Sequence, residues 1–255
     1  MILPFAYMVS TAFKPQAYVL ETPPKFIPDP GTVDNFVQAW TTQDFSRYAL
    51  NSAFVSVTST ALAVWLSSMM AYAFARFDFP GKEWFFRALL LGLMIPSMML
   101  IIPQFVLTKQ LHLIDNLWAL VLFYVSGNLA LNTFLLRSFF EGIPRELDEA
   151  MEVDGANVWT RYWRLAMPLA RPALATTVIF TFLATWDEFA WALTVISTET
   201  KRTLPIAIQL FHGQNSTQWG LVFAASLIAI LPVIVVYLIF QRHFVAGLTA
   251  GAVKG

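Results

Sequence analysis

The chain holds no cysteine in its 255 residues, so it has no disulfide framework, no thiolate metal site and no thiol nucleophile. It is also poor in charge. Only 13% of residues are Asp, Glu, Lys or Arg, against about 25% in a soluble domain. The 16 basic residues balance 16 acidic ones, which removes any net field that could gather nucleic acid. A phosphate-cradling G-x-x-x-x-G-K-[ST] is missing, because Arg76 stands where the glycine upstream of Gly81-Lys82 would be. Neither H-E-x-x-H nor G-x-S-x-G occurs, and His112, His212 and His243 are scattered as structural histidines are. Asn215-Ser216-Thr217 matches a glycosylation acceptor, a weak match by itself.

What is abundant is apolar residue, 57% of the chain. A membrane span needs about 20 predominantly apolar residues. Uncharged runs cover Tyr48 to Ala75, Ala88 to Thr108 and Asn116 to Leu136. A fourth runs from Pro172 to Trp186, is interrupted by Asp187 and Glu188, and continues from Phe189 to Thr198. The last, Thr203 to Gln241, reads as a polar lead-in followed by a span from Gly220 to Phe240. Met1 to Phe13 is apolar but only about 20 Å long as a helix. It lacks the basic start and small-residue end of a signal peptide. It reads as the second half of a first span whose beginning is clipped. The expected fold is therefore all-α, one transmembrane domain over 1–255 with six transmembrane helices.

Lysine and arginine set the orientation. The first, third and fifth loops hold Lys14, Lys25, Arg47, Lys109, Lys201 and Arg202. The second and fourth loops and the tail hold Arg76, Lys82, Arg87, Arg137, Arg145, Arg161, Arg164, Arg171, Arg242 and Lys254. Ten against six places the latter set, and both termini, in the cytoplasm. Trp84 and Tyr237 on one side, with Trp118 and Trp219 on the other, suit interfacial belts.

Two spans carry oddities. Pro96 and Pro103 lie seven residues apart, two turns along one face, and predict either a bent, pathway-lining helix or a packing kink. In the next-to-last span Asp187 falls about 21 Å along a helix counted from Ala173. An acid there faces a bundle interior or a wet cavity, or else lies near enough to the surface to be solvated. Trp186, Asp187 and Glu188 make a candidate polar and aromatic lining for a hydrophilic solute. Asn128 and Asn132, one turn apart, either face the same space or bond between helices.

The passage at 144–168 is the one dense run of charge. Pro144 is placed to start a helix. Leu147, Ala150 and Met151 share a narrow face, and Glu146, Asp148, Glu149, Glu152 and Asp154 fill the rest. Gly155 permits a left-handed turn, after which Asn157 can cap a second helix. Val158, Trp159, Tyr162, Leu165 and Ala166 share a face of that helix, opposite Arg161 and Arg164. The second helix suits a bilayer surface. Five acids on the first do not, and read as a surface for a protein partner.

"EAMEVDGANVWTRYWRLAMP" resembles the signature passage of ABC importer permeases: Glu149-Ala150-Met151, then Gly155, then Leu165-Ala166-Met167-Pro168 at the matching spacing. Methionine at the third position, and leucine and methionine near the close, depart conservatively from the pattern. "AFKP", "ATWDEFAWAL" and the tail "FQRHFVAGLTAGAVKG" resemble the carbohydrate-uptake, maltose-type branch. The resemblance implies a bacterial or archaeal plasma-membrane permease that imports a sugar, an oligosaccharide or a polyol. It implies a coupling helix docking on a cytoplasmic ATPase through Glu149, Ala150, Met151, Asp154, Gly155, Ala156, Leu165 and Pro168. Tail contacts would fall near Lys254 and Gly255. It further implies a second permease, an ATPase dimer that carries the ATP and Mg, and an extracytoplasmic binding protein. No cofactor or metal is expected on this chain, and no catalysis. The competing class is an ion-coupled secondary transporter using Asp187 and Glu188, although no internal repeat is visible. Dependence on ATP or on an ion gradient separates the two.

Overall fold

A computed structural model of the chain describes residues 2–42, 44–213 and 217–252. Among them there is no strand, only one isolated bridge between His212 and Thr217. The helices α1 (Ile2–Ala12), α2 (Asp34–Thr41) and α3 (Phe45–Arg76) come first, then α4 (Lys82–Leu91), α5 (Ile101–Gln110) and α6 (Leu117–Glu141). Two short helices follow, α7 (Arg145–Val153) and α8 (Val158–Arg161). A π-helical stretch, Tyr162–Ala166, leads into α9 (Met167–Leu169) and α10 (Arg171–Trp186). The chain ends with α11 (Ala190–Val195), α12 (Leu204–Gln209) and α13 (Trp219–Ala252).

Among the described residues, three helices are long and apolar enough to cross a membrane: α3, α6 and Trp219–Gln241 of α13. Two bent pairs raise the number to five if each is one span. At 11 residues, about 17 Å, α1 is too short by itself.

α3 organises the body. Its buried positions include Ser52, Ser56, Ser59, Ala63, Ser67 and Ala71, and small residues on one face let helix axes approach closely where lipid offers no hydrophobic drive. It packs most extensively on α6 and also on α10. Three apolar clusters follow its length. Phe45 and Tyr48 meet α2, α12 and α13 at one end, and Val55 and Ala63 meet α6 and α11 in the middle. Ala71, Tyr72 and Ala75 meet Leu136, Phe140 and Tyr162 at the other end. Near the first cluster the Asn35 amide donates to the carbonyls of Ala12 and Lys14, at 2.8 and 2.7 Å, closing the end of α1. Gly220 comes so close that a Cβ there would lie 2.8 Å from Asn35 Nδ2.

Two expectations change. The Pro96 span is not one kinked helix with both prolines on one face. Ile95 is extended, as a residue before proline prefers, and the segments Lys82–Met94 and Ser97–Gln110 meet at 94°. Pro103 is the third residue of α5, where a missing N–H breaks no helical bond. Likewise Asp187 and Glu188 do not interrupt a continuous helix. α10 stops at Trp186, and the acids occupy the gap before α11.

Candidate functional site

The 144–168 passage forms as helix, elbow and helix. At the end of α7 the Gly155 N–H donates to the Glu152 carbonyl and the Ala156 N–H to that of Met151, both at 2.9 Å. That pairing is a Schellman closure, and it requires the left-handed backbone that Gly155 adopts at φ +81°. A Cβ on Gly155 would meet nothing within 4 Å, so the glycine serves conformation and not packing. Asn157 Oδ1 then accepts from the Thr160 N–H at 2.9 Å and caps α8. Across the elbow Arg161 is paired with Glu152.

The faces of α7 are not disposed as a ring of free acids. Asp148 is buried, its Oδ2 3.0 Å from Arg76 Nε and its Oδ1 accepting from the Tyr72 hydroxyl at 3.3 Å. The expectation that all five acids are open to a partner is corrected by this pair: one faces inward and Glu152 is engaged by Arg161. A cleft of about 150 Å³ beside this contact is lined by Tyr72, Arg76 and Phe77 and, from α7, by Arg145, Asp148, Glu149 and Glu152. The opposite edge of α7 is free. Leu147 is 43% exposed and Val153 88%, with Ala150, Asp154 and Gly155 exposed beside them, and Glu149 is exposed at the rim of the cleft. Met151, Ala156 and Leu165 are half-buried, and Pro168 is exposed. The second half of the passage turns Tyr162 and Ala166 into the body, and Val158–Leu169 meets α10 at 77°. Lys254 and Gly255 lie outside the described residues.

The candidate lining residues diverge. Asp187 is exposed at a pocket of about 270 Å³, with Trp186, Phe189, Leu204, Pro205 and Gln209 among its walls. Trp186 is buried, stacked on Phe182 at 5.3 Å, and its indole N–H donates to the Ala229 carbonyl at 3.1 Å. Glu188 turns away. It accepts from the N–H groups of Trp191 and Ala192 at 2.7 and 3.1 Å, capping α11, and from the Tyr124 hydroxyl at 2.5 Å. Asn132 is buried and donates to Thr181 Oγ1 at 2.8 Å, a bond between α6 and α10. Asn128 donates to the Tyr124 carbonyl of its own helix. Of the five residues, only Trp186 and Asp187 line this pocket.

Two further clusters carry no sequence motif. One is Tyr72, Arg76 and Asp148, whose only sequence signal is an arginine ending a long uncharged run. The other is Asp115, at φ +57°. Its Oδ1 accepts from the N–H groups of Ser197 and Thr198 at 3.0 and 2.9 Å, and its Oδ2 from Thr198 Oγ1 and Lys201 Nζ at 2.6 and 2.9 Å. Partial burial pulls this carboxyl up, but the bonds from Thr198, Lys201 and Ser197 outweigh it and hold it well below the usual carboxylate range.

Among families of known proteins, the one described as the inner membrane component of binding-protein-dependent transport systems matches residues 30–249. The chain is 37% identical over 256 residues to the trehalose transport system permease protein SugB of Mycobacterium tuberculosis, covering 100% of this chain and 93% of that protein. It is 36% identical over 259 residues to the sulfoquinovosyl glycerol transport system permease protein SmoH of Agrobacterium fabrum, covering 100% and 89%. In fold it is similar to a chain of a bacterial ABC transporter involved in the import of the acidic polysaccharide alginate. There the TM-score is 0.82 at 24% identity, over 94% of this chain and 90% of that one.

Proposed function

The chain belongs to the family of binding-protein-dependent transport system inner membrane components, and from that premise we propose that it is the permease subunit of an ATP-driven carbohydrate importer. The match across residues 30–249 carries the reading, and the relatives that move trehalose and sulfoquinovosyl glycerol support a sugar or a sugar-linked polyol as cargo. The subunit is a transport component and not an enzyme. ATP and Mg belong to a partner ATPase dimer, and a second permease completes the pore. α1, α3, the bent pair Lys82–Met94 with Ser97–Gln110, α6, α10 with α11, and α13 make up the six spans, with both termini in the cytoplasm.

Within this reading 144–168 is the coupling passage. It is supported by the free apolar edge of α7, flanked by exposed Glu149 and Asp154, which suits a cleft on a soluble partner. The closed elbow at Gly155 suits a joint that must not bend when pushed. Asp187 and Trp186 line the path side of the bundle. The ion-coupled alternative is not favoured, since Glu188 is committed to capping α11 and to Tyr124.

The test is ATPase activity of the reconstituted complex, with wild-type chain, Glu149→Lys or Gly155→Pro, with and without binding protein. Stimulation by binding protein in the wild type, lost in intact variant complexes, is the expected result. Stimulation that persists in both variants refutes the coupling assignment.

A further inference from the structure

The passage continues covalently into α10, yet its polar anchors reach a different helix. Arg76 ends α3 with its side chain 7% exposed, and Asp148, 12% exposed, lies against it. One arm of the guanidinium, Nη2, donates at 2.9 Å to the carbonyl of Ile143, just before α7 begins. The Nε edge meets the Asp148 carboxylate as an ion pair at 3.0 Å, its N–H off the line of the oxygen. Two turns earlier on α3, Ser68 Oγ and the Tyr162 hydroxyl are 2.6 Å apart, which ties down the second half of the passage. The Arg161–Glu152 pair closes the elbow between these anchors. By contrast, the covalent route into α10 runs through a 77° bend.

The other end of α3 is anchored as well. Asn51 Nδ2 donates to the carbonyls of Thr200 and Arg202 at 3.0 and 2.9 Å, and Ser52 Oγ accepts from the Leu204 N–H at 2.8 Å. Leu204 opens α12, whose residues wall the Asp187 pocket. With 32 residues, α3 is about 48 Å long, enough to join the two faces of a membrane.

Resting on the coupling reading, we propose that α3 is the strut of this subunit. Arg76 and Asp148 pin α7 to its cytoplasmic end, and Asn51 and Ser52 hold the outer segment 200–204. Displacement of α7 therefore reaches the Asp187 pocket through α3, ahead of the route through α10. Arg76 and Asp148 are positioning residues. An exposed ion pair would slip under load. A buried one cannot part without leaving two charges unpaired in a poorly solvated site. The planar guanidinium presents Nη2 to the Ile143 carbonyl before α7 and its Nε edge to Asp148 in the first turn of α7, a fixed spread of donors that the single nitrogen of a lysine does not have.

Because the chain has no cysteine, labels go only where they are placed. In the complete complex with binding protein, spin labels at the exposed positions Gln38→Cys and Thr200→Cys report the outer segment against α2. ATP with vanadate shifts this distance when the pin is intact. In Asp148→Asn and Arg76→Lys the shift falls to less than half, with the complex still assembled. An equal shift in those variants overturns the proposal. A second variant guards against simple misfolding. In Arg76→Cys with Asp148→Cys, a short reversible bis-thiosulfonate bridge replaces the pair. Bridging restores binding-protein-stimulated ATPase, by about tenfold over the unbridged chain, and reductant removes it again. Stimulation indifferent to the bridge overturns the strut. Absence of stimulation even in the wild type is a different failure, that of the coupling reading, and takes the proposal with it.

Discussion

The elbow at Gly155 gives the most quantitative prediction. Its φ of +81° lies in the left-handed region, where an L side chain costs roughly 1–2 kcal/mol. Nothing lies within 4 Å of an added Cβ, so no steric term adds to that cost. Gly155→Ala should therefore weaken the closed passage by about 1–2 kcal/mol, and Gly155→Gln by the same amount despite its size. Gly155→Asn should be milder, because asparagine tolerates this conformation. Gly155→Pro is harsher, since it fixes φ near −65° and removes the 2.9 Å bond to the Glu152 carbonyl. Native-state trypsin cleavage after the exposed Arg164, on the purified permease in detergent, reads local opening directly. At 0.59 kcal/mol for RT, 1–2 kcal/mol corresponds to about 5- to 30-fold faster cleavage for Ala and Gln. Equal rates for Gly, Ala and Asn would refute a left-handed elbow. A far larger effect for Gln than for Ala would refute the open space around it.

Three further outcomes are expected. Gly220→Ala should lower stability by about 1–3 kcal/mol, because the new methyl meets an Asn35 amide held by two hydrogen bonds; denaturant midpoints of the purified chain test it, and Asn35→Ala in the same chain should relieve part of the loss. Asp115 is held low in the folded protein, so its contribution is complete above the ordinary carboxylate value near pH 4 and is lost as pH falls below it. The protection factor of the Thr198 amide, its exchange measured against the unfolded rate at the same pH, should fall on acidification, and in Asp115→Asn it should be low at all pH values. Asp187 lines its pocket with an exposed carboxylate, so Asp187→Asn should change stability by less than about 0.5 kcal/mol while altering uptake rate or sugar range. Unchanged kinetics across a panel of neutral and acidic sugars would remove Asp187 from the path.

Local chemistry was legible in the order of residues. The Gly155 turn and the Asn157 cap rest on contacts within six residues of each other, and their geometry follows from glycine and asparagine themselves. The uncharged runs marked α3, α6 and α13 for the same reason, since a span is a property of a continuous segment. Where the chain breaks was less readable. Pro96 announced an irregularity, but a kink and a 94° turn carry the same sequence signal, and the neighbours that stabilise a turn are distant in the chain.

Side-chain fate divided most sharply. Asp187 and Glu188 are adjacent acids with the same intrinsic chemistry, yet one faces a pocket and the other caps a helix and meets Tyr124. Asp148 resembled its acidic neighbours until Arg76, 72 positions away, came within 3.0 Å of it.

The sequence by itself determined a helical membrane chain, its apolar segments, its charged passage and the turn and cap residues within it. Each of these depends on hydrophobicity or backbone preference acting over a few turns. Only the tertiary structure decided which acids are buried, which helices are broken and which helix the passage leans on. Those outcomes depend on desolvation and pairing between groups that the chain brings together only when it folds.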